Sequence, residues 1–378
     1  MKYILIIAAF NAVFYSVLLL QKKPRAFHDN VLFFWLLYLS LLVGSYAFSS
    51  TFLFNDYPLL GSSFISLLLL HGPFLYLYIS TLVAHKQGFK NIDFIHFVPF
   101  FIFNCYLLVV SFFPDISEQI RLDHVSSHVH PPLLFVFFLI ITALSGPTYF
   151  LLSIRLFRQL DINIFNNFSS SENIDLDWLR KLVYIFGTIW TALIVIATIH
   201  HVFQLFSMSF CTDGLTLSLS VFIILVGYYG LKQKEIFIDT HNNIQSSIPE
   251  SNQKYAGSSL KDRDVKLHIE KLNQYMVAEK PYLNPDLTLS QLANELEIPS
   301  HHLSQIINEH FNINFFDFIN RFRVEDVKTK MFDPKYSHYS LLGIAFESGF
   351  NSKSAFNRIF KKFTGKTPSL YKSISAQE

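Results

Sequence analysis

The first part of the chain is a succession of long apolar stretches separated by short polar ones, whereas the last part mixes apolar and polar positions. Seven stretches approach or exceed the roughly 20 residues that an α-helix needs to cross a bilayer. They are Tyr3–Leu20, Val31–Phe54, Leu59–Val83, Phe94–Phe113, Leu133–Phe157, Leu182–Phe206 and Leu215–Leu231. The pattern predicts a seven-span transmembrane module over residues 1–237, with the first stretch retained rather than cleaved as a signal peptide.

Two similar helix–turn–helix patterns follow near the C-terminus. In the first, Thr288–Phe311, apolar residues recur at helical spacing on both sides of a turn at Ile298–Pro299. In the second, Ile344–Lys372, Gly349 stands where the turn needs a residue without a Cβ. One linking helix is predicted between them, over roughly Phe315–Met331.

A polar stretch rich in Asn, Ser and Gln, Asp239–Leu260, separates the two parts. This composition is typical of a flexible tether, and 22 such residues average roughly 25 Å from end to end. We therefore predict an all-α protein with a flexible linker at 238–261. A seven-helix bundle precedes the linker, and a domain with two helix–turn–helix units follows it at 262–374.

Composition supports this division, because residues 1–231 hold only 11 of the 30 Lys and Arg and 11 of the 28 Asp and Glu. The whole chain is 51% hydrophobic and only 15% charged, whereas a soluble protein is about a quarter charged. Two cysteines give neither a disulfide framework nor a CxxC metal signature. The sequence also lacks a Walker A loop, GxGxxG, HExxH and GxSxG, so we expect no enzymatic activity, cofactor or bound metal.

The basic residues between the predicted spans give an orientation. Lys2 and Arg121 lie on one side of the membrane. Eleven basic residues lie on the other side, namely Lys22, Lys23, Arg25, Lys86, Lys90, Arg155, Arg158, Arg180, Lys181, Lys232 and Lys234. Positively charged loops stay in the cytoplasm. We therefore expect a multi-pass membrane protein with its N-terminus outside and its C-terminal domain in the cytoplasm.

The second helix of each unit carries the residues expected to contact DNA. In the first unit these are Ser300, His301, His302, Ser304, Gln305 and Asn308, and in the second they are Asn351, Ser352, Lys353, Ser354, Asn357 and Arg358. Asn, Gln and Arg are the side chains that read base edges. Lys361, Lys362 and Lys366 are expected to hold phosphates instead. The second unit has no acidic residue from Lys353 to Lys372, so we expect it to supply more of the affinity.

The second unit resembles the signature of the AraC family of bacterial transcription regulators. The similar positions are Ile344, Gly349–Phe350, Phe356, Phe360–Lys361 and Gly365–Pro368, and the resemblance extends over about Val265–Lys372. LLLLHGPFLYLYIS, HFVPF and GYYGLKQKEIF in the apolar part are similar to membrane-anchored AraC-type regulators of Bacteroidetes-like bacteria. The resemblance implies two units entering successive major grooves of double-stranded DNA.

A few polar groups inside the spans suggest a ligand pocket. His71, Tyr76, Tyr78 and Asn104 could line it, and intramembrane polar residues are often functional. The alternative is a Pro73 kink with interhelical hydrogen bonds that hold the bundle together. A second cluster, formed by Asp123, His124, His128 and His130, could bind a metal or be a solvated loop.

The whole sequence predicts a membrane-bound, sequence-specific transcription regulator. Its expected partners are double-stranded DNA, the lipid bilayer, RNA polymerase, a second copy of the chain, and an unidentified small-molecule or envelope signal. The alternative is that the membrane module is a passive anchor or a transporter-like unit. The polar stretch Gln159–Trp178 leaves two further alternatives open, because it could lie on the membrane or touch the DNA-binding domain.

Overall fold

The structure, a computed structural model, describes residues 2–48, 58–84, 88–120, 132–171, 176–203, 208–233 and 262–375. Within these ranges the regular secondary structure is helical, with turns between the helices and one isolated antiparallel bridge between Phe168 and Thr288. The chain forms two compact units. The N-terminal unit contains Met1–Arg158 and Leu176–Asp239, and the C-terminal unit contains Gln159–Asp175 and Thr240–Glu378.

Seven helical segments in the described ranges are long and apolar enough to cross a membrane, judged by length and composition. They match the seven apolar stretches of the sequence. The helices here are α1 (Lys2–Gln21), α2 (Phe27–Phe48), α3 (Pro58–Val83), α4 (Val98–Val110, preceded by the 3-10 helix Asn91–Phe97), the short α5 (Pro114–Gln119), α6 (Leu133–Asn167), α7 (Asp177–Phe203) and α8 (Met208–Lys232).

Large apolar side chains point outward from the N-terminal unit. Leu133 is 88% exposed, Tyr3 81% and Phe112 75%. Soluble monomers rarely leave such surfaces uncovered. Inside the unit, helices approach closely at small residues, and a Cβ at Gly72 would lie 2.4 Å from the Tyr149 ring. Exposed apolar faces around a tightly packed interior are the arrangement expected of helices that face lipid.

The C-terminal unit is built from shorter helices. They are α9 (Asp262–Ala278), α10 (Leu289–Glu295), α11 (Ser300–Gln305, continued by the π-helical turn Ile306–His310), α12 (Phe315–Phe332), α13 (Leu341–Glu347), α14 (Lys353–Thr364) and α15 (Pro368–Ser375). Helices α10 and α11 form the first helix–turn–helix unit, and α13 and α14 form the second. Helix α12 agrees with the predicted linking helix to within one residue.

Helix α12 supplies residues to both hydrophobic cores of this unit. Phe315, Phe318 and Ile319 belong to the first core, and Phe316, Val324, Val327 and Met331 belong to the second. At about 100° per residue, the first set lies on one face of this 18-residue helix and the second set lies on the opposite face, so the two faces pack against different helix–turn–helix units. The linking helix therefore positions the two helix–turn–helix units relative to each other.

Polar caps fix where these helices begin. The Thr288 side chain accepts a hydrogen bond from the Gln291 amide at 3.2 Å, and the Gln291 side chain accepts one from the Thr288 amide. Ser340 caps α13 through the Gly343 amide at 3.0 Å. Each such cap contributes about 1 kcal/mol.

The turn of the second unit requires glycine, as its sequence predicts. Gly349 has a φ of 90°, and a Cβ there would lie 2.2 Å from the Tyr282 carbonyl oxygen and 3.0 Å from Arg323 Nε. Both the backbone conformation and the close approach exclude other side chains. The equivalent turn residue of the first unit is Glu297, which adopts a φ of 54°.

Candidate nucleic-acid interface

Helix α14 divides into a buried apolar face and an exposed polar face. Phe356, Ile359 and Phe360 are buried in the second core. The exposed side chains are Lys353, Ser354, Asn357, Arg358, Lys361 and Lys362. Four of these six are basic, and α14 contains no acidic residue. The structure therefore places six of the sequence-predicted contact residues on one accessible surface that can approach phosphates and base edges.

The ends of α14 are stabilised by local hydrogen bonds. Ser352 accepts a hydrogen bond from the Ala355 amide at 3.2 Å, so its hydroxyl caps the helix. Gly365 ends the helix in a left-handed conformation, with its amide bonded to the Lys361 carbonyl. Basic residues in the last turn complement the helix dipole. Ser352 thus has a structural task in addition to its predicted contact.

The second helix of the first unit is shorter and carries no Lys or Arg. It spans six residues before the π-helical turn. His301 is exposed, whereas Ser300, His302, Ser304, Gln305 and Asn308 are half-buried. Gln305 donates a hydrogen bond to Glu309 at 3.0 Å, and Asn308 donates one to Ser304 at 3.3 Å. These side chains can present polar groups to DNA, but they bring no permanent positive charge.

The two histidines of this helix reinforce that point. Their ring centroids lie 4.2 Å apart. Burial lowers the pKa of His302, and the nearby His301 and His268 lower it further. His302 is therefore neutral at pH 7 and can donate or accept a hydrogen bond without adding charge.

Lys362 has a partner within the protein. Its ammonium lies 2.6 Å from Asp317 Oδ1 and 2.8 Å from Oδ2, which ties α14 to the linking helix. The Lys362 side chain is still 56% exposed. Exposed ion pairs contribute about 0–1 kcal/mol, so a phosphate can compete for this lysine. Lys366, beyond the helix, is exposed.

Two buried polar residues of the linking helix escaped the sequence reading. Asn320 is 0% exposed and Arg323 is 1% exposed. Their polar side chains favour the surface, although their helical spacing places them on the same face as the buried Phe316 and Val327. That spacing was the one signal available for them.

The four residues of the predicted membrane pocket have different neighbours in the structure. Asn104 donates hydrogen bonds to Ser66 Oγ at 2.9 Å and to the Phe100 carbonyl at 2.8 Å. The Tyr76 ring packs against His96, with centroids 5.0 Å apart. For Asn104, the geometry favours the alternative of a hydrogen bond that holds two helices together.

His71 lines a small cavity of its own. The cavity measures about 20 Å³, roughly the room that one water molecule needs. The Trp190 ring meets the His71 ring edge-on, with ring centroids 4.4 Å apart. The centroid of the Trp35 ring lies 5.9 Å from that of His71, and Trp35 also packs against Tyr78. Both His71 ring nitrogens lack a hydrogen-bond partner among the described residues. A ligand pocket around His71 stays a prediction.

The predicted metal cluster lies elsewhere. Asp123, His124, His128 and His130 are outside the described residues. Within the described ranges, no group of three or more His, Cys, Asp or Glu side chains is placed to hold a metal ion.

Comparison with known proteins identifies the C-terminal fold. Residues 292–373 match a family described as a helix-turn-helix domain. An uncharacterized HTH-type transcriptional regulator of Staphylococcus aureus strain COL is 33% identical over 106 residues, which are 28% of this chain and 14% of that protein. An uncharacterized response regulatory protein of Staphylococcus epidermidis is 28% identical over 104 residues, 28% of this chain and 40% of that protein.

A solved structure also matches. It is a protein of unknown function from Listeria innocua, 30% identical, with 28% of this chain and 95% of that chain covered and a TM-score of 0.25.

The C-terminal part therefore contains an AraC-type helix-turn-helix domain of the kind found in transcriptional regulators, which confirms the resemblance for that domain. The chain spans about a seventh of the length of the Staphylococcus aureus relatives it matches. These similarities lie in the C-terminal domain.

Proposed function

We propose that the protein is a membrane-bound, sequence-specific DNA-binding transcription regulator. The N-terminal unit lies in the bacterial inner membrane with the N-terminus outside, and the AraC-type domain lies in the cytoplasm. Double-stranded DNA is its principal ligand. The bilayer, RNA polymerase and a second copy of the chain are its further partners, and it catalyses no reaction.

One observation carries this proposal. A single chain joins seven helices with exposed apolar faces to a helix-turn-helix domain whose α14 presents four exposed basic residues and no acid. Basic side chains on an exposed recognition helix supply the salt-dependent affinity of DNA-binding proteins. Lipid-facing apolar helices have no comparable use in a soluble regulator.

The distribution of charge supports the orientation independently. Two basic residues lie on the predicted outer side of the spans and eleven lie on the inner side. The inner side is also where the C-terminal domain emerges from an odd number of spans. DNA is cytoplasmic, so the residues that orient the membrane unit and the residues that favour DNA binding lead to the same arrangement.

Reporter fusions along the full chain test the arrangement. Fusions after Gln21, Phe89, Asp161 and Lys234 should report the cytoplasm, and fusions after Asn55, Ser117 and Cys211 should report the outside. A cytoplasmic signal after Ser117 would contradict seven spans, because one span would then be missing or added upstream.

The membrane unit has a sensing role in this proposal. A small-molecule or envelope signal, received in or across the membrane, changes the availability or pairing of the DNA-binding domains. Expressing residues 255–378 alone distinguishes this role from a passive anchor or a transporter-like unit. If the fragment regulates its target genes as the full chain does, with no dependence on any signal, the sensing role is wrong.

A further inference from the structure

A short piece of chain from the middle of the sequence is built into the C-terminal unit. Helix α6, which contains the fifth apolar span, ends at Asn167, and residues 159–175 belong to the C-terminal unit. Residues Phe165–Ser170, here called the docking segment, make its contacts. The polar stretch that could have lain on the membrane thus touches the DNA-binding domain.

Ser169 lies at the centre of these contacts. It is 1% exposed. Its amide donates to the Leu287 carbonyl at 3.1 Å, next to the bridge between Phe168 and Thr288. Its own carbonyl accepts from Asn320 Nδ2 at 3.0 Å and from Arg323 Nη1 at 2.9 Å. The backbone of one buried residue is therefore fully paired with the DNA-binding domain.

Arg323 provides a site that suits such a segment. Its Nη2 donates to the Ser169 hydroxyl at 2.9 Å, so two arms of the guanidinium converge on one serine. The remaining acceptors come from the domain itself: the Tyr282 carbonyl at 2.8 Å, the Asn284 carbonyl at 2.7 Å, the Pro285 carbonyl at 3.4 Å and Asn320 Oδ1 at 3.3 Å. Burial lowers the pKa of Arg323 to about 9, which leaves it charged at neutral pH.

Arg323 has two acceptors on Ser169 and four in the rest of the domain. Four acceptors hold Arg323 in place when the segment leaves, and water can then satisfy the donors that Ser169 had bonded. Leaving also costs the packing of Phe165 against Phe316, whose ring centroids lie 5.3 Å apart. The domain thus keeps its core while gaining or losing the segment.

The docking segment bonds a residue that is predicted to contact DNA. The Asn351 amide donates to Ser170 Oγ at 3.0 Å, and Ser170 Oγ lies 3.3 Å from Asn351 Oδ1. Asn351 directly precedes the cap of α14. An amide that bonds Ser170 with both its nitrogen and its oxygen cannot at the same time read an adenine edge, which requires the same two atoms.

We propose that the C-terminal unit has an intramolecular binding site, built around Arg323 and Asn320, for the docking segment of its own chain, and that occupation of this site withholds Asn351 from DNA. The segment continues the helix of a membrane span, so movement of that span can remove it. The inference rests on the proposed DNA binding and specifies how the membrane unit controls it.

The first test locks the segment in place. The full chain in lipid nanodiscs carries Cys105→Ser and Cys211→Ser, with Phe168→Cys and Thr288→Cys added at the antiparallel bridge, a pair that leaves Asn351 intact. Oxidation should join the pair within one chain and weaken binding to a duplex of about two helical turns, selected from a random pool by the wild-type chain. Reduction should restore the affinity of the same sample. The single Thr288→Cys variant is the control for oxidation itself and for the loss of the Thr288 cap.

The second test releases the segment. Phe165→Ala with Ser169→Pro removes the ring contact and the amide donor without altering residues 262–375. DNA binding should tighten, and a gain of about tenfold would mean that the segment is docked about nine-tenths of the time. Ile162→Ala, an exposed position on the same helix, should leave the affinity unchanged.

The outcomes distinguish three claims: that the segment docks within its own chain, that docking controls DNA binding, and that the protein binds DNA at all. Failure of the cysteine pair to join, or joining between two chains, overturns intramolecular docking. Joining without any change in affinity, or release without tightening, overturns the control of DNA binding. If the wild-type chain selects no duplex at all, the proposed DNA binding itself is wrong, whatever the cysteine pair does.

Discussion

The two helix–turn–helix units share one packing scheme but differ in charge. Each begins with a seven-residue helix whose fifth residue is a buried alanine, Ala293 in α10 and Ala345 in α13. The carbonyl of each alanine accepts a hydrogen bond from the residue five positions later, Ile298 at 2.9 Å and Phe350 at 3.1 Å. The scaffold is thus repeated almost residue for residue.

The exposed faces of the second helices are where the units diverge. Aligning the buried residues Leu303 and Phe356 places Gln305 opposite Arg358, and it places Asn308 and Glu309 opposite Lys361 and Lys362. Three neutral or acidic side chains in one unit thus correspond to three cations in the other. The comparison teaches that the two units share their buried positions and differ in surface charge. That difference predicts that the second unit supplies more of the DNA affinity.

Substitutions at the two turns should differ most in their effect on the stability of the C-terminal unit. Gly349→Ala should destabilise the C-terminal unit by about 3 kcal/mol or more, because strain at positive φ adds to a clash with the Tyr282 carbonyl. Glu297→Gly, at the equivalent turn of the first unit, should change stability by less than about 1 kcal/mol. Hydrogen exchange of residues 262–375 in the full chain measures both. Equal protection in the two variants would show that the turns are not arranged as described.

The paired alanines test the shared scaffold. Ala293→Leu and Ala345→Leu should each cost about 1–3 kcal/mol, since both side chains are 0% exposed and a larger residue overpacks the helix crossing. Asn294→Leu, on an exposed position next to the first alanine, is the control. Urea-dependent hydrogen exchange reports the free energy. An unchanged value for either alanine variant would mean that its helix pair is packed differently.

The opposed pair Gln305 and Arg358 tests how the units divide the recognition of DNA. Arg358→Ala should cost about 1–3 kcal/mol on the cognate duplex and much less on unrelated DNA, if the guanidinium reads a guanine edge. Gln305→Ala should cost less on the cognate duplex. Equal weakening of both duplexes by Arg358→Ala would make this residue a phosphate contact instead.

Substitutions that change only a surface charge should have the smallest effects on DNA binding. Lys362→Ala should weaken cognate and unrelated DNA alike and flatten the salt dependence by about one unit of slope. Glu309→Lys, at the opposed position, should steepen the slope by about one unit. Lys362→Ala also breaks the ion pair with Asp317, which costs at most about 1 kcal/mol of stability. The domain therefore stays folded, and a change in the salt dependence reports DNA binding. Slopes unchanged by both variants would place neither residue near DNA.

Periodicity predicted the elements well because burial alone determines them. The apolar stretches and the linking helix follow from which side chains must leave water, and Gly349 follows from a turn that needs a positive φ. Glu297 shows the limit of this reasoning. A charged residue in a left-handed conformation carries no local signal, and its place became apparent only through alignment with Gly349.

Contacts between distant parts of the chain could not be predicted in the same way. Ser169 meets Arg323 across 154 residues, and Lys362 meets Asp317 across 45. Nothing in either local pattern specifies its partner. The bond from Asn104 to Ser66 on α3 could not be predicted for a related reason, since a polar residue in a span satisfies itself with whichever neighbouring helix packs against it.

DNA binding by oriented membranes tests the central claim most directly, namely that one chain holds DNA at the cytoplasmic face through α14. Inverted inner-membrane vesicles that contain the full chain should bind a labelled duplex, and right-side-out vesicles should not. A variant with Lys353, Arg358, Lys361 and Lys362 all changed to Ala should remain in the membrane and lose the binding. Binding by right-side-out vesicles, or undiminished binding by the fourfold variant, would contradict the account.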